Sequence, residues 1–227
     1  MSNQAKKLML FVTLAVLTVT GTAAGTDINC DTADRGILSD LYLQFVAQAS
    51  ERVGGAKTDG RDECVVWVFQ LPSLGEGEEI TSANLSFYLE GTSYYLPEGN
   101  ADLHGRPYRT SSAVQTGDWY QGAFGGDSGS TGIQDNILTG STSAGTVNTD
   151  SSGDSALVSY LNAQYNAGAV GGHYVFIRLN ADSNETNSPQ RYWTVSMADN
   201  ATAGQRPVLT VTIGGADTTP PCPDPMT

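Results

Sequence analysis

The sequence has few basic residues: 11 lysines and arginines stand against 24 aspartates and glutamates, giving a formal net charge of −13 at neutral pH. Nucleic acids and anionic lipid surfaces bind to basic patches on proteins. We therefore expect neither of them as a partner. Cations and neutral glycans are compatible with this charge.

Histidine and cysteine are also scarce. The two histidines are His104 and His173, and the three cysteines, Cys30, Cys64 and Cys222, form no CxxC motif and no Cys/His cluster. A zinc site of the usual kinds needs such a cluster, so none is predicted. In an oxidising compartment a Cys30–Cys64 disulfide would tie the N-terminal segment to a central strand. The alternative is that Cys64 is a small buried apolar residue.

The chain has no recognisable catalytic apparatus. Residues 126–129, Gly-Asp-Ser-Gly, match the local sequence around the nucleophile of chymotrypsin-like proteases, a mechanism that also needs a histidine base. His104 lies only 24 residues ahead of Ser128, which is too close for such a fold. No catalytic residue is predicted, and we expect a protein that is not an enzyme. A carboxylate pair for glycoside hydrolysis stays open as an alternative.

Long apolar runs are lacking after the first 24 residues, which have the features of a signal peptide. Lys6 and Lys7 precede an uncharged apolar run, and small residues follow at positions 22–24. No later run approaches the roughly 20 residues that span a bilayer. We predict a secreted, extracellular protein without a membrane span, with one domain over residues 25–214 and a proline-rich linker or tail over residues 215–227. Loss of the two leader lysines would leave a net charge of about −15.

The densest run of β-branched and aromatic residues is Cys64–Pro72. Its two alternating faces are both largely apolar, which is typical of a strand that is covered on both sides. We therefore predict a buried central strand that ends at Pro72. One face holds Val65, Trp67, Phe69 and Leu71, and the other holds Cys64, Val66 and Val68.

Alternating or apolar runs elsewhere predict further strands. These are Thr81–Leu89, Asn100–Arg106 (stopped by Pro107), His173–Leu179, Tyr192–Met197 and Val208–Ile213. The segment Gly36–Ala49 has mixed periodicity and predicts one or two short strands, with a helix as the competing interpretation.

One helix is predicted over Asp154–Ala167, where Leu157, Leu161 and Tyr165 share a face. Asp154 or Ser152 would cap its start and Gly168 would close its end. The preceding segment, Ser111–Gly153, is rich in Gly, Ser, Thr and Asp and is predicted to be mostly loop. So long a loop is usually functional or mobile.

Two aromatic pairs outside the predicted strands are candidates for a sugar-stacking platform: Tyr94-Tyr95 and Trp119-Tyr120. A flat aromatic face can stack on a pyranose ring while neighbouring polar groups bind its hydroxyls. The alternative is ordinary alternation, with one member of each pair buried and the other exposed.

Calcium is the cofactor that the acidic loops indicate. Asp182, Asn184 and Glu185 form the first candidate set of oxygen ligands, and Asp150 with Asp154, or Asp31 with Asp34, are alternatives. Extracellular modules use weak calcium sites of this ligand type. None of these sets has EF-hand spacing, and the competing interpretation is a solvated acidic turn.

Several of these segments together resemble a known family. Val65–Leu71 followed by Pro72-Ser73-Leu74, then Ile80–Tyr88, and finally Arg206–Thr212 with its R-P-x-L-x-V pattern are similar to DNRLRE-type jelly-roll domains, which resemble carbohydrate-binding module family 96. The resemblance implies a two-sheet jelly-roll sandwich. The arginine and aspartate that usually flank the central phenylalanine of that family are replaced by Val68 and Gln70, so the resemblance implies the fold more directly than a sugar ligand.

We therefore predict an all-β protein, a two-sheet antiparallel jelly-roll sandwich with one short helix. We expect it to act as a non-catalytic structural or adhesive module at the cell surface or in the extracellular matrix. The first alternative is a carbohydrate-binding module that tethers an enzyme to polysaccharide, and the second is a polysaccharide-active hydrolase. The expected partners are extracellular polysaccharide or neighbouring modules of a longer chain, because Asp217–Pro221 resembles linkers between modules.

Overall fold

The computed structural model describes residues 25–55, 61–93, 99–182 and 191–215. The predicted signal peptide and nearly all of the predicted tail therefore lie outside the described residues. Within these ranges the chain forms eleven strands and one α-helix. They are β1 (Thr26–Asn29), β2 (Arg35–Leu38), β3 (Ser50–Gly54), β4 (Glu63–Gln70), β5 (Glu78–Thr92), β6 (Asn100–Arg109), β7 (Thr131–Thr139), β8 (Gly145–Asn148), α1 (Ser151–Asn166), β9 (Tyr174–Ala181), β10 (Tyr192–Ser196) and β11 (Val208–Gly215).

The strands form one antiparallel, curled sheet with the order β1-β11-β5-β10-β3-β4-β9-β6-β7, to which β2 adds beside β4 and β8 beside β5. A single residue pair, Gly54 with Glu63, joins β3 to β4. The sheet curls at this narrow link, so that its two halves face each other. The rings of Trp67 on β4 and Phe87 on β5 meet across the interior with centroids 4.8 Å apart. The predicted all-β sandwich of jelly-roll type is confirmed. We call the half that contains β4, β9, β6, β7 and β2 the second half.

Strand β4 is buried on both faces, as predicted. Burial of apolar area on two sides stabilises such a strand by about 1.5–3 kcal/mol for each large side chain. The face toward the interior contributes Val65, Trp67 and Phe69 to the main core. The opposite face contributes Cys64, Val66 and Val68 to a second apolar cluster, together with Ile37, Val114 and Phe176.

The predicted helix is present as α1 but begins three residues earlier than expected. The Asp150 carboxylate accepts the backbone N–H groups of Ser152 and Gly153, both at 2.9 Å, and so caps the first turn. Gly168 closes the helix as predicted, with a φ of +102°. The Gly168 and Ala169 N–H groups bond back to the last turn, which forms a Schellman motif.

Helix α1 is fixed to both halves of the sheet by hydrogen bonds. The Asn162 side chain bonds both the N–H and the C=O of Ile80 on β5, at 3.0 and 2.8 Å. The Tyr160 hydroxyl donates to the Arg106 carbonyl on β6 at 2.6 Å. The helix therefore bridges β5 and β6.

The segment Ser111–Gly153, predicted to be mostly loop, contains β7 and β8. β7 pairs with the preceding strand β6, and β8 pairs with β5, which lies much further back in the chain. Their apolar residues are few and a left-handed residue, Asn136 with φ +54°, interrupts the alternation of β7. The loop prediction therefore holds for most of this segment but missed β7 and β8, because local pattern carries little of the signal for strands stabilised by partners elsewhere in the chain.

Two strand predictions also need correction. β6 continues past Pro107 to Arg109, because the pairing with β9 shifts register between Arg106 and Arg109 and so accommodates a residue without an N–H. The polar strand β1 was not predicted; it pairs with β11. In the segment Gly36–Ala49 the strand interpretation is confirmed by β2, and the helix interpretation is wrong.

The predicted Cys30–Cys64 disulfide is not formed, and both thiols are free and buried. Cys30 lies in the main core, whereas Cys64 belongs to the second apolar cluster on the opposite face of β4. The Asp31 N–H donates to the Val68 carbonyl, which places Cys30 near the far end of β4 from Cys64. The alternative interpretation of Cys64, a small buried apolar residue, is confirmed.

None of the helices in the described ranges is long and apolar enough to cross a membrane.

Candidate functional site

The outer face of β6 and β9 carries a layer of polar side chains. Because side chains alternate along a strand, residues next to the core-facing Leu103 and Leu179 point to the other side of the sheet. Asp102 stands opposite Asn180, and His104 opposite Arg178. We call the five outward-facing residues the polar layer: Asp102, His104 and Arg106 of β6, and Arg178 and Asn180 of β9.

The polar layer is buried, although it lies on the outside of the sheet. Asp102, Arg178 and Asn180 are 0% exposed and His104 is 1% exposed. Buried polar groups of this kind need partners, because leaving one unpaired costs about 1–3 kcal/mol or more. Partners of Arg106, Arg178 and Asn180 come from the chain that connects β6 to β7.

We call residues 111–130 the covering segment, because they lie over the polar layer. The Arg178 Nη1 donates to the Asp118 carbonyl at 2.9 Å, and the Gly122 N–H donates to the Ala181 carbonyl at 3.2 Å. Val114 and Trp119 of the segment pack on the second apolar cluster. The covering segment is therefore an ordered layer of the fold.

Two aspartates of the covering segment pair with three arginines of the sheet. Asp127 lies 3.0 Å from Arg178 and 3.2 Å from Arg106. Asp118 lies 3.4 Å from Arg106 and closer still to Arg109. Arg106 also donates to the Gly129 carbonyl at 2.9 Å. These ion pairs hold the covering segment against β6 and β9.

The surroundings set the protonation states of the network. Burial alone raises the pKa of Asp127, but hydrogen bonds from the Gly129 N–H and Arg178 outweigh it and hold that pKa below its ordinary value. Burial also lowers the pKa of Arg178, and the neighbouring Asp127 opposes that change. The lowered pKa of Asp127 keeps its carboxylate ionised at neutral pH, so Asp127 and Arg178 form a true ion pair.

His104 is a neutral, buried ring within the polar layer. Burial, together with the positive charges of Arg178 and Arg106, lowers the pKa of His104 to about 4. Its ring lies between Phe124, at a centroid distance of 5.4 Å, and Tyr120, at 6.0 Å. His104 packs between aromatic side chains, and the other histidine, His173, is stacked on Tyr108 at 5.4 Å.

One predicted sugar-stacking pair, Trp119-Tyr120, lies on the covering segment. Both side chains are partly buried. Trp119 packs on the second apolar cluster, and the Tyr120 ring lies 4.9 Å from the Arg178 guanidinium. The other pair, Tyr94-Tyr95, lies outside the described residues. Sugar stacking by these four residues stays a prediction.

The first predicted calcium set is only partly described. Asp182 follows β9 and its carboxylate accepts the Asn100 N–H at 3.0 Å, whereas Asn184 and Glu185 lie outside the described residues. In the ranges that are described, no group of three or more His, Cys, Asp or Glu side chains is arranged to hold a metal ion. Calcium binding near Asp182 stays a prediction.

The alternative calcium sets have structural partners. Asp150 caps α1, and the Asp154 carboxylate accepts hydrogen bonds from Asn84 and Thr149. The Asp34 carboxylate accepts the Ala198 N–H at 2.8 Å and the Cys30 thiol at 3.5 Å. Burial raises the pKa of Asp34 to about 7 although both hydrogen bonds act in the opposite direction.

Asp102 is a buried carboxyl group that the sequence analysis did not single out. It accepts the Asn136 N–H at 2.8 Å, where β7 departs from regular pairing. Burial and the nearby carboxylates of Asp182 and Asp135 raise the pKa of Asp102 to about 7. The acidic end of the polar layer is thus adjacent to Asp182.

The sequence contained a signal for part of this site. In the strand Tyr174–Ala181, Arg178 and Asn180 alternate with Ile177, Leu179 and Ala181, so a polar outer face was visible. The partners were not visible. Asp118 and Asp127 lie in a segment without periodicity, 60 and 51 positions ahead of Arg178 in the chain.

The sequence matches no model of a known protein family, and a comparison with curated proteins also finds no match. The resemblance to DNRLRE-type jelly-roll domains therefore stays a prediction.

Proposed function

We propose that the protein is a non-catalytic structural or adhesive module of the extracellular space. The observation that carries this proposal is the buried ion-pair network of Arg106, Arg109, Arg178, Asp118 and Asp127. Catalytic and ligand sites generally present a few convergent polar groups to a concave opening. Here the charged groups of the outer face are directed toward one another.

The network has a physical effect suited to a structural module. It fixes a 20-residue connection (residues 111–130) over a sheet face that would otherwise be solvated, so that β4 and β9 are covered on both sides. A buried ion pair is strongly destabilised when one partner is removed. Opening of the covering segment would also separate Val114 and Trp119 from the second apolar cluster and expose that cluster to water, which opposes opening.

Glycan binding is the second candidate function, because one observation favours it. Tyr120 and Phe124 both lie against the His104 ring, Trp119 directly precedes Tyr120 in the chain, and Phe124 is 39% exposed. Aromatic side chains that are partly exposed and held by a rigid support can stack on sugar rings. This candidate depends on the outer surface of the covering segment, above the ion pairs.

Native affinity gel electrophoresis against a panel of soluble neutral and acidic polysaccharides tests the proposal, and a reducing-end assay on the same panel tests hydrolysis. We expect no retardation and no new reducing ends. Retardation that is lost in Trp119→Ala but kept in Val170→Ala would contradict the proposal and support glycan binding. Val170 is a matched control because it is apolar, 56% exposed and outside the covering segment. New reducing ends would contradict the proposal in favour of a hydrolase.

A further inference from the structure

The second half of the sheet ends in an open strand edge beyond β2. The chain turns back after β2, so that the Leu38 N–H donates to the Tyr42 carbonyl at 3.0 Å and the Gln44 N–H to the Gly36 carbonyl at 2.9 Å. Leu43 faces Ile37 in an antiparallel bridge between these two bonds. In such a pair, the N–H and C=O groups of Leu43 point away from β2. Within the described ranges, no backbone hydrogen bond of Leu43 occupies them.

The same edge exposes large apolar side chains. Leu41 is 52% exposed, Tyr42 48%, Phe45 68% and Val46 46%. They are four of the six exposed large apolar residues in the described part of the chain. We call residues 41–46 the apolar edge. Contiguous exposed apolar side chains are typical of an interaction surface.

The apolar edge also lacks charge. Residues 41–50 contain no acidic or basic residue, although the chain carries a net charge of −13. The neighbouring Asp40 is paired with Arg61 at 2.7 Å. Two copies of an acidic protein repel each other electrostatically. This repulsion is smallest when the copies approach through surfaces that carry no charge.

Backbone strain marks both ends of this region. Leu41 and Ala47 each have a φ of +63°, in the left-handed region that residues with a side chain rarely adopt. Strained residues of this kind cluster at functional sites. Leu41 is the first residue of the apolar edge, and Ala47 directly follows its last residue.

We propose that the apolar edge is the surface through which two copies of this chain associate, edge to edge and antiparallel. An open edge fits an extended strand, because the strand supplies the missing N–H and C=O partners. Two identical edges related by a two-fold axis supply these partners to each other. The proposal rests on the proposed structural function and deepens it by naming the partner of the module.

Sedimentation equilibrium of the purified chain over a wide concentration range, under reducing conditions that exclude Cys222 cross-links, tests the proposal. We expect the mass to double with concentration and Phe45→Asp to weaken association by roughly tenfold or more, since a charge would face its own copy. The control Val170→Asp places the same charge on an exposed apolar residue elsewhere and is expected to leave association unchanged. Circular dichroism establishes that each variant is folded.

Hydrogen exchange locates the contact. We expect the amide of Leu43 to gain protection as the concentration of the chain rises. A monomer at all concentrations, a dimer unaffected by Phe45→Asp, or a dimer without protection at residues 41–46 would each overturn the proposal. Co-sedimentation with neutral phosphatidylcholine vesicles that is lost in Phe45→Asp would also overturn it, in favour of a lipid surface. None of these outcomes alters the gel and reducing-end results on which the proposed function depends.

Discussion

At the residue scale, Asp127 is the acceptor that the arginines of the polar layer share. Its carboxylate lies 3.0 Å from Arg178 and 3.2 Å from Arg106, and it also accepts the Gly129 N–H at 2.9 Å. Arg178 is fully buried, so it has no access to water if this partner is lost. Removing one member of a buried pair costs more than the pair contributes, because the other charge stays desolvated.

We expect Asp127→Asn to lower the free energy of unfolding by about 2–4 kcal/mol, because it leaves Arg178 without its carboxylate. The matched control is Asp40→Asn, which changes an exposed ion pair with Arg61 and should cost less than about 1 kcal/mol. Urea denaturation of both variants at pH 7 measures the difference. Equal losses in the two variants would show that burial of the network adds nothing to stability.

At the element scale, the contact between α1 and β6 depends on the absence of a side chain at Gly105. A Cβ at Gly105 would lie 2.4 Å from the Tyr160 ring, which is buried and bonded to the Arg106 carbonyl. A contact this short requires the buried ring, the strand or the helix to shift. The close approach of α1 to β6 at this position therefore requires a glycine in the strand.

Gly105→Ala should destabilise the protein by about 1–3 kcal/mol, the usual cost of overpacking a filled core. Gly117→Ala is the control, because Gly117 is exposed and a Cβ there would have no neighbour within 4 Å. Thermal melting followed by circular dichroism compares the two. A melting temperature for Gly105→Ala equal to that of the control would contradict the close packing of α1 on β6.

The elements that the sequence predicted well are those whose own residues form a continuous apolar run or a regular apolar alternation. Strand β4 and the alternation of β5, with Leu85, Phe87 and Leu89 buried, followed from apolar pattern alone. Strands β7 and β8 did not, because β7 has no regular apolar alternation, β8 is only four residues long, and both are stabilised by pairing with β6 and β5. The polar layer was partly visible in β9, but its aspartate partners depend on contacts across 51 or more positions in the chain.

At the scale of the whole molecule, three buried titratable groups set how stability depends on pH. Asp34 and Asp102 have a pKa raised to about 7, and His104 has a pKa lowered to about 4. Between pH 4 and 7 the folded state keeps protons on the two aspartates that the unfolded state has released, so they make stability fall as the pH rises. His104 acts in the opposite direction, because the unfolded state binds its proton up to about pH 6.5.

The two aspartates outweigh the one histidine, so we expect the free energy of unfolding to decrease from about pH 4.5 to 7.5 and then to level off. A single group changes this free energy by at most about 1.4 kcal/mol per pH unit. Asp34→Asn keeps an oxygen acceptor for the Ala198 N–H and removes the titration, so the variant should be more stable than the wild type at pH 8. The difference should shrink toward pH 3, where Asp34 is protonated in both states. Urea denaturation at intervals of one pH unit measures it, and parallel curves for variant and wild type would show that Asp34 does not titrate on folding.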